Sequence, residues 1–196
     1  MGRSTKRVSQ AHSQSELPHR QKGGESGTDS QATTGKGVGA NPCDRGKMGV
    51  KGSLLVEGGG YPLSACIAGA NINDHLLLAA TLDAVVVERP KPTEEKPQNL
   101  CLDKGFDNAP TREVVKERGY TEHIKRIGEE KKDEQGERTY PARRWVVERT
   151  IGWLSRWRGI LNRWEKKPQN YLANLKLACA LLWFRKAWQA NSPILR

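Results

Sequence analysis

The sequence has no stretch approaching the roughly 18 uninterrupted apolar residues that a membrane-spanning helix requires. Its basic N-terminus also lacks the apolar segment that follows in a secretory signal. Neither a membrane span nor export is expected. Cysteine is scarce: Cys43, Cys66, Cys101 and Cys179 stand far apart and match neither a CxxC metal pattern nor a dense disulfide framework, which points to a reducing cytoplasm. The four histidines, His12, His19, His75 and His123, show no metal-ligand spacing, and none is placed beside a cysteine or serine as nucleophilic catalysis would need. Surface or capping roles are the plainer expectation for them. Apolar side chains are nearly missing from Met1 to about Lys51, where Gly, Ser, Thr, Gln and charged residues dominate. That stretch is expected to be loop or disordered, because it has little to bury.

Positive charge is present in excess. The net charge is +11, and it is unevenly distributed: residues 137–196 hold 13 basic and 3 acidic side chains, whereas residues 61–136 hold 11 and 14. A field of that sign suggests a polyanionic partner. All six tryptophans, Trp145, Trp153, Trp157, Trp164, Trp183 and Trp188, lie in the same basic third. The bland alternative is that the tryptophans pack a core and the charges only solubilise it.

Periodicity sets out the elements. Ser53–Glu57 and Tyr61–Ala68 flank Gly58-Gly-Gly60, the pattern of a β-hairpin. Leu78, Leu82 and Val85/Val86 then share a helical stripe over 75–86, with Asn73 or Asp74 available as a cap. Three prolines make 89–97 a surface loop. Asn99–Leu102 reads as a short buried strand, and 110–118 as a helix with proline in its first turn and Gly119 at its end. Tyr120–Ile127 reads as a strand, and 128–138 as a charge-dense loop. A helix of about twenty residues is expected from Arg143, with Val146, Thr150, Trp153, Trp157, Ile160 and Trp164 on its apolar face. Lys167-Pro168 interrupts it, and a last helix covers 170–188. The order β-β-α-β-α-β-α-α argues for a mixed α/β layer structure.

Two carboxylates are placed for chemistry. Glu148 lies across from the tryptophan stripe, on a face continued by Gly152, Ser155 and Gly159, with Arg144 one turn earlier. Each glycine costs that helix roughly 1 kcal/mol relative to alanine, which close packing or ligand access would offset. The plainer alternative is an exposed Glu favoured by the helix N-terminus. Asp103 directly follows the apolar strand 99–102, at the edge where α/β sheets carry ligand sites; its plainer alternative is a turn or cap. If the late helix packs against that strand, the two acids in a basic surround suit Mg²⁺, and phosphodiester cleavage or transfer is the implied chemistry.

Five blocks occur in order: Asn41-Pro-Cys-Asp-Arg-Gly-Lys47, Gly69-Ala-Asn-Ile-Asn-Asp74, Leu100-Cys-Leu-Asp-Lys-Gly-Phe-Asp107, Arg143-Arg-Trp-Val-Val-Glu-Arg149 and Lys166-Lys-Pro-Gln-Asn-Tyr171. On these blocks the chain resembles the bacterial insertion-sequence DDE transposases, from about Gly39 to Trp188. The resemblance implies an RNase H-like mixed sheet flanked by helices over residues 39–190, preceded by a low-complexity, disordered segment 1–38 and followed by a tail, 191–196. It implies that Asp103 and Glu148 are the second and third catalytic carboxylates. The first belongs in the opening strand, where Asp29 is the choice, with Asp44 and Glu57 as alternatives by chemistry.

Several further expectations follow from the resemblance. Asp29, Asp103 and Glu148 would hold two Mg²⁺ or Mn²⁺ ions for in-line cleavage and strand transfer. Arg143, Arg144, Arg149, Arg156, Lys166 and Lys167 would contact DNA, both insertion-sequence ends and target. A cytoplasmic, nucleoid-associated protein that acts as a homodimer on DNA is implied. Residues 1–38 do not resemble the region that precedes the core in family members, which implies a shortened or degenerate copy. Two competing readings are a catalytically inactive DNA-binding relative and an RNase H-like nuclease of unrelated biology.

Overall fold

The computed structural model describes residues 8–9, 38–41, 45–46, 48–124 and 145–191. The glycine turn and its flanking apolar runs form the expected hairpin: β3 (Met48–Glu57) pairs antiparallel with β4 (Pro62–Gly69), from Val50↔Gly69 to Val56↔Pro62, with an irregularity between Leu55 and Val56. Two short strands from the segment expected to be loop also pair with β3. These are β1 (Val8–Ser9), opposite Glu57 and Val56, and β2 (Gly39–Ala40), opposite Gly49 and Met48. Their polar composition hid them, because ladder hydrogen bonds come from the backbone and not from side chains. Val56 pairs with β1 on one side and β4 on the other, and β1 also lies beside β5 (Gln98–Leu102). Strand β5 in turn pairs in parallel with β6 (Tyr120–Ile124). The strands thus form a four-stranded antiparallel sheet of β1, β2, β3 and β4 and a separate parallel pair, β5-β6, set beside it at β1, within the mixed α/β architecture that the resemblance implies.

Alternation along the strands builds two cores. Leu54, Val56 and Ala65 point to one face, against Val146, Val147 and Leu154 of α3 (Trp145–Leu154), Ile160 of α4 (Arg158–Leu161) and Leu175 and Ala178 of α5 (Pro168–Asn191). Leu55, Leu100 and Leu102 point to the other, against Leu78 and Leu82 of α1 (Asp74–Asp83), Val115 of α2 (Ala109–Glu117) and Tyr120 and Phe106. Period-two side chains thus feed two helical layers, the second of them shared by β3 and the β5-β6 pair.

The helix ends follow local chemistry with two departures. In α2, Asn108 caps as its Oδ1 accepts from the Thr111 amide at 3.0 Å, Pro110 lies in the first turn, and Gly119 leaves the helix at φ +69°. In α1, Asn73 occupies the cap position without a side-chain bond, and Asp74 pairs with Lys51 at 2.9 Å instead of capping. The second departure is the long helix expected from Arg143. It stops at Leu154: the Arg156 and Trp157 amides bond three residues back, to Trp153 and Leu154, and Trp157 takes an extended conformation before the single turn of α4. Gly152 and Ser155, whose Oγ donates to the Gly152 carbonyl at 3.0 Å, weaken the helix where it breaks. Residues 125–144, including the loop expected at 128–138, lie outside the described residues.

Candidate catalytic face and nucleic-acid surface

Helix α3 is tied to the glycine turn of the hairpin. Thr150, fully buried, donates through its hydroxyl to the Gly60 carbonyl and lies 3.0 Å from the Val146 carbonyl of its own helix. Arg149 Nη2 donates to the Gly59 carbonyl, and its guanidinium lies 4.7 Å from the ring of Trp145 and 4.8 Å from that of Trp153. The spacing 145, 149, 153 stacks the three on one helix face. Among the described residues Arg149 Nε is buried without a hydrogen-bond partner, and the two aromatic rings stabilise the guanidinium beside its bond to Gly59. Gly60 has φ +87°, and a Cβ on it would come within 2.7 Å of Arg149 Nη2 and 3.2 Å of Thr150 Oγ. Glycine is therefore required at that position for both its backbone angle and its lack of bulk.

The same arrangement turns Glu148 outward. It is exposed, it is the acidic residue of α3, and among the described residues its carboxylate has neither an ion-pair nor a hydrogen-bond partner. A Cβ placed on Gly152, one turn later, would meet nothing within 4 Å, and the same is true of Gly159. The glycines thus border open space and not a packed neighbour. Because the helix breaks after Leu154, Gly159 belongs to α4 and does not extend the face of Glu148.

Asp103 leaves the end of β5, and its carbonyl accepts from the Phe106 amide at 3.0 Å as the chain enters a short 3₁₀ turn, Lys104–Phe106. Leu100 and Leu102 are buried towards α1 and α2, so the alternation turns Cys101 to the other face of β5, and Asp103 follows the last strand residue. The other aspartate of this block, Asp107, binds Arg112 at 2.6 Å, and Arg112 also bonds Glu122 of β6. That bracing fixes the segment after Asp103. Among the described residues, no group of three or more His, Cys, Asp or Glu side chains is gathered so that it could hold a metal ion.

The remaining site expectations fall in three groups. Asp29, Asp44, Arg143 and Arg144 lie outside the described residues. Glu57, the alternative first acid, is committed to the turn: its Oε2 accepts from the Gly59 amide at 2.9 Å and its Oε1 lies 3.3 Å from Lys186 Nζ. Arg156, Lys166 and Lys167 are exposed, the two lysines in the link between α4 and α5. Their backbone is well used, the Lys166 carbonyl accepting from Arg163 and the Lys167 carbonyl from the Asn170 and Tyr171 amides that start α5. Sequence periodicity missed the partners of this region altogether. Tyr61 packs between Trp153 and Trp183, with ring centroids 5.7 and 5.2 Å away, and Trp183 Nε1 donates to the Pro62 carbonyl at 2.6 Å. Only the tertiary fold brings residues 61 and 183 together.

The family blocks also meet in space. Gly39 and Ala40 pair at the start of β3, and a Cβ on Gly39 would collide with the side chain of Asn71. Lys51 bonds both Asp74 and the Ile72 carbonyl, the latter at 3.0 Å. A transposase DDE domain model matches residues 13–183, most of the chain. The chain belongs to the DDE transposase family. A protein of Burkholderia cepacia, described as "Putative transposase for insertion sequence element IS402", is 31% identical to this transposase over 159 residues, covering 80% of this chain and 73% of that protein. No solved structure matches it. The matched region of the transposase takes in Asp29, Asp103 and Glu148, and it ends at Trp183, within α5.

Proposed function

We propose that this transposase domain cleaves and rejoins DNA at the ends of an insertion sequence, with Asp103 and Glu148 as catalytic carboxylates and Asp29 as the third. The observation that carries the reading is Glu148: a solvent-facing acid without a partner among the described residues, on an open helix face, in the basic third of a DDE transposase. A surface acid surrounded by arginines would ordinarily pair with one of them. Among the described residues Glu148 has no such partner, and its neighbour Arg149 is turned away to Gly59 and the tryptophans.

Carboxylate oxygens are hard donors of the kind Mg²⁺ and Mn²⁺ prefer, so Asp103, Glu148 and Asp29 would hold the two ions. Asp29, the remaining donor of this reading, lies outside the described residues. When bound, such ions supply Lewis-acid stabilisation to the attacking and leaving oxygens of an in-line displacement. In cleavage a water oxygen bonds to phosphorus as the P–O3′ bond breaks, giving a 3′-hydroxyl and a 5′-phosphate. In transfer that 3′-hydroxyl oxygen bonds to a target phosphorus as the target's own P–O3′ bond breaks; the attacking hydroxyl gives up its proton and the departing 3′ oxygen takes one, so no covalent protein intermediate is needed.

The chain's own basic residues hold the strand. Arg156, Lys166 and Lys167, with Arg143 and Arg144 ahead of α3, supply charge-assisted bonds to phosphates. Arg149 acts on DNA through the placement of α3. A DNA-bound homodimer and a place in the nucleoid follow from the same reading. The test is divalent-metal-dependent nicking of DNA carrying the element's ends, compared between wild type and Glu148→Gln; binding without nicking would leave the inactive DNA-binding reading instead.

A further inference from the structure

A second feature lies further along the same surface. Between the end of α3, α4 and the C-terminal half of α5 is a cleft of about 380 Å³ lined by Tyr61, Trp153, Trp157, Arg156, Arg185 and Gln189, among others. That volume is within the roughly 300–1,000 Å³ of small-ligand sites. Its wall is aromatic and aliphatic, with Leu181 and Leu182 beside the rings, and among the described residues its lining includes no acidic residue. Trp157, a large side chain at the helix break, is 41% exposed. Arg156 and Arg185 are both exposed, and among the described residues neither has an ion-pair or hydrogen-bond partner.

The neighbouring cations differ in this respect. Arg149 is bonded to Gly59, and Lys186 lies 3.9 Å from the ring centre of Tyr61 and 3.3 Å from Glu57. Those two stiffen the wall: Lys186 also lies 4.9 Å from the ring of Trp183, which with Trp153 holds Tyr61 in place. The cleft therefore combines a rigid aromatic back, an exposed indole and two uncommitted guanidinium groups. Planar apolar surface between positive charges is complementary to a nucleobase flanked by its two phosphates. Base–aromatic stacking and arginine–phosphate bonds are the two interactions by which single strands are held without sequence readout.

We propose that this cleft takes up one unpaired base of a DNA strand, stacked on Trp157 against the Trp153–Tyr61 wall, with Arg156 and Arg185 on the adjacent phosphates. The proposal rests on the DNA-binding part of the function proposed above and adds to it a preference for unpaired over fully paired DNA. It places that preference at residues separate from Asp103 and Glu148. Stacking of this kind changes affinity by about five- to a hundred-fold per base.

The experiment uses the full chain and two labelled duplexes of identical length, one fully paired and one carrying a single extrahelical 2-aminopurine, in EDTA so that no cleavage intervenes. Fluorescence anisotropy gives affinity, and 2-aminopurine emission reports stacking. The expected result is tighter binding of the bulged duplex with quenched 2-aminopurine. Trp157→Ala should abolish the quenching and weaken bulged binding by about five- to a hundred-fold, leaving the paired duplex within about twofold. Arg185→Ala should weaken bulged binding and lower its salt slope by about one phosphate contact. Arg185 is exposed, so that variant carries the test if Trp157→Ala does not fold. Equal binding of both duplexes, unaltered by either variant, overturns the cleft while leaving DNA binding intact. Failure to bind either duplex overturns both. A change in sedimentation with Trp157→Ala, but none in DNA affinity, overturns it in favour of contact with a second copy of the chain.

Discussion

The hydroxyl of Thr150 bonds the carbonyl of Gly60, ninety residues away in sequence, and thereby locks the helix carrying Glu148 to the turn of the central hairpin. Together with the Arg149–Gly59 bond, it fixes which face of α3 looks inward. Glu148 faces solvent as a geometric consequence, since Val146, Val147 and Thr150 take the buried positions around it.

Gly60→Ala tests that lock. The substitution forces a non-glycine residue to φ +87° and brings a Cβ within 2.7 Å of Arg149 Nη2. It should destabilise the protein by about 1–3 kcal/mol, read as a lower melting temperature, with Gly105→Ala as the near-neutral control because its Cβ would meet nothing within 4 Å. Thr150→Val should cost a similar 1–3 kcal/mol by leaving the Gly60 carbonyl without its partner.

Gly152→Ala separates stability from function. A methyl group there enters open space, so the helix should gain about 0.5–1 kcal/mol. If the open face of α3 admits DNA, the same variant should weaken DNA binding or nicking in spite of its higher melting temperature. Gains in both would show that the face is merely exposed.

The ion pair between Asp83 and Arg118 carries a pH dependence. Arg118 Nε and Nη2 each lie 2.8 Å from an Asp83 oxygen, and this hydrogen-bonded pairing holds the carboxyl below its usual range. A carboxylate depressed in the folded state stabilises above its unfolded pKa of about 3.9 and loses that contribution as pH falls further. Asp83→Asn should therefore lower the melting temperature slightly at pH 7, and the difference should close in scans run down to pH 3. A difference that stays constant across this range would contradict the electrostatic origin.

Cys179 should be inert in the folded protein. Burial pushes its thiol up to about 12, so at pH 8 about one molecule in ten thousand is thiolate, against about a quarter for an ordinary cysteine. Iodoacetamide should leave Cys179 unmodified until denaturant is added, as read by peptide mass spectrometry. Rapid native labelling would mean that the α5 packing opens on the labelling timescale.

Much of this architecture was legible in local pattern. The hairpin, α1, α2, β5 and α5 all announce themselves by apolar periodicity, by Asn108 and Pro110 at a helix start, or by Gly119 at its end, because each such signal acts within a few residues. What escaped depends on distant partners. Strand β1 has too little apolar character to be seen before β3 and β5 are in place around it. The break after Leu154 was hidden because the apolar spacing continues through Trp157 and Ile160, although those side chains reach the core by a turn and not by further helix. Asp103 and Glu148 were visible as acids in unusual settings, yet no periodicity could show that Arg149 would turn from Glu148 to the Gly59 carbonyl.

The most direct test of the central claim is nicking of a supercoiled plasmid carrying the coding sequence with its genomic flanks. Wild-type protein should nick it with Mg²⁺ or Mn²⁺ and not in EDTA. Glu148→Gln and Asp103→Asn should each bind the DNA normally while nicking at least about 100-fold more slowly, a larger effect than loss of an outer-shell partner of a metal ligand. A protein that binds the plasmid but never nicks it with either metal, and in which Glu148→Gln changes nothing, would contradict the assignment of Glu148 as a catalytic carboxylate.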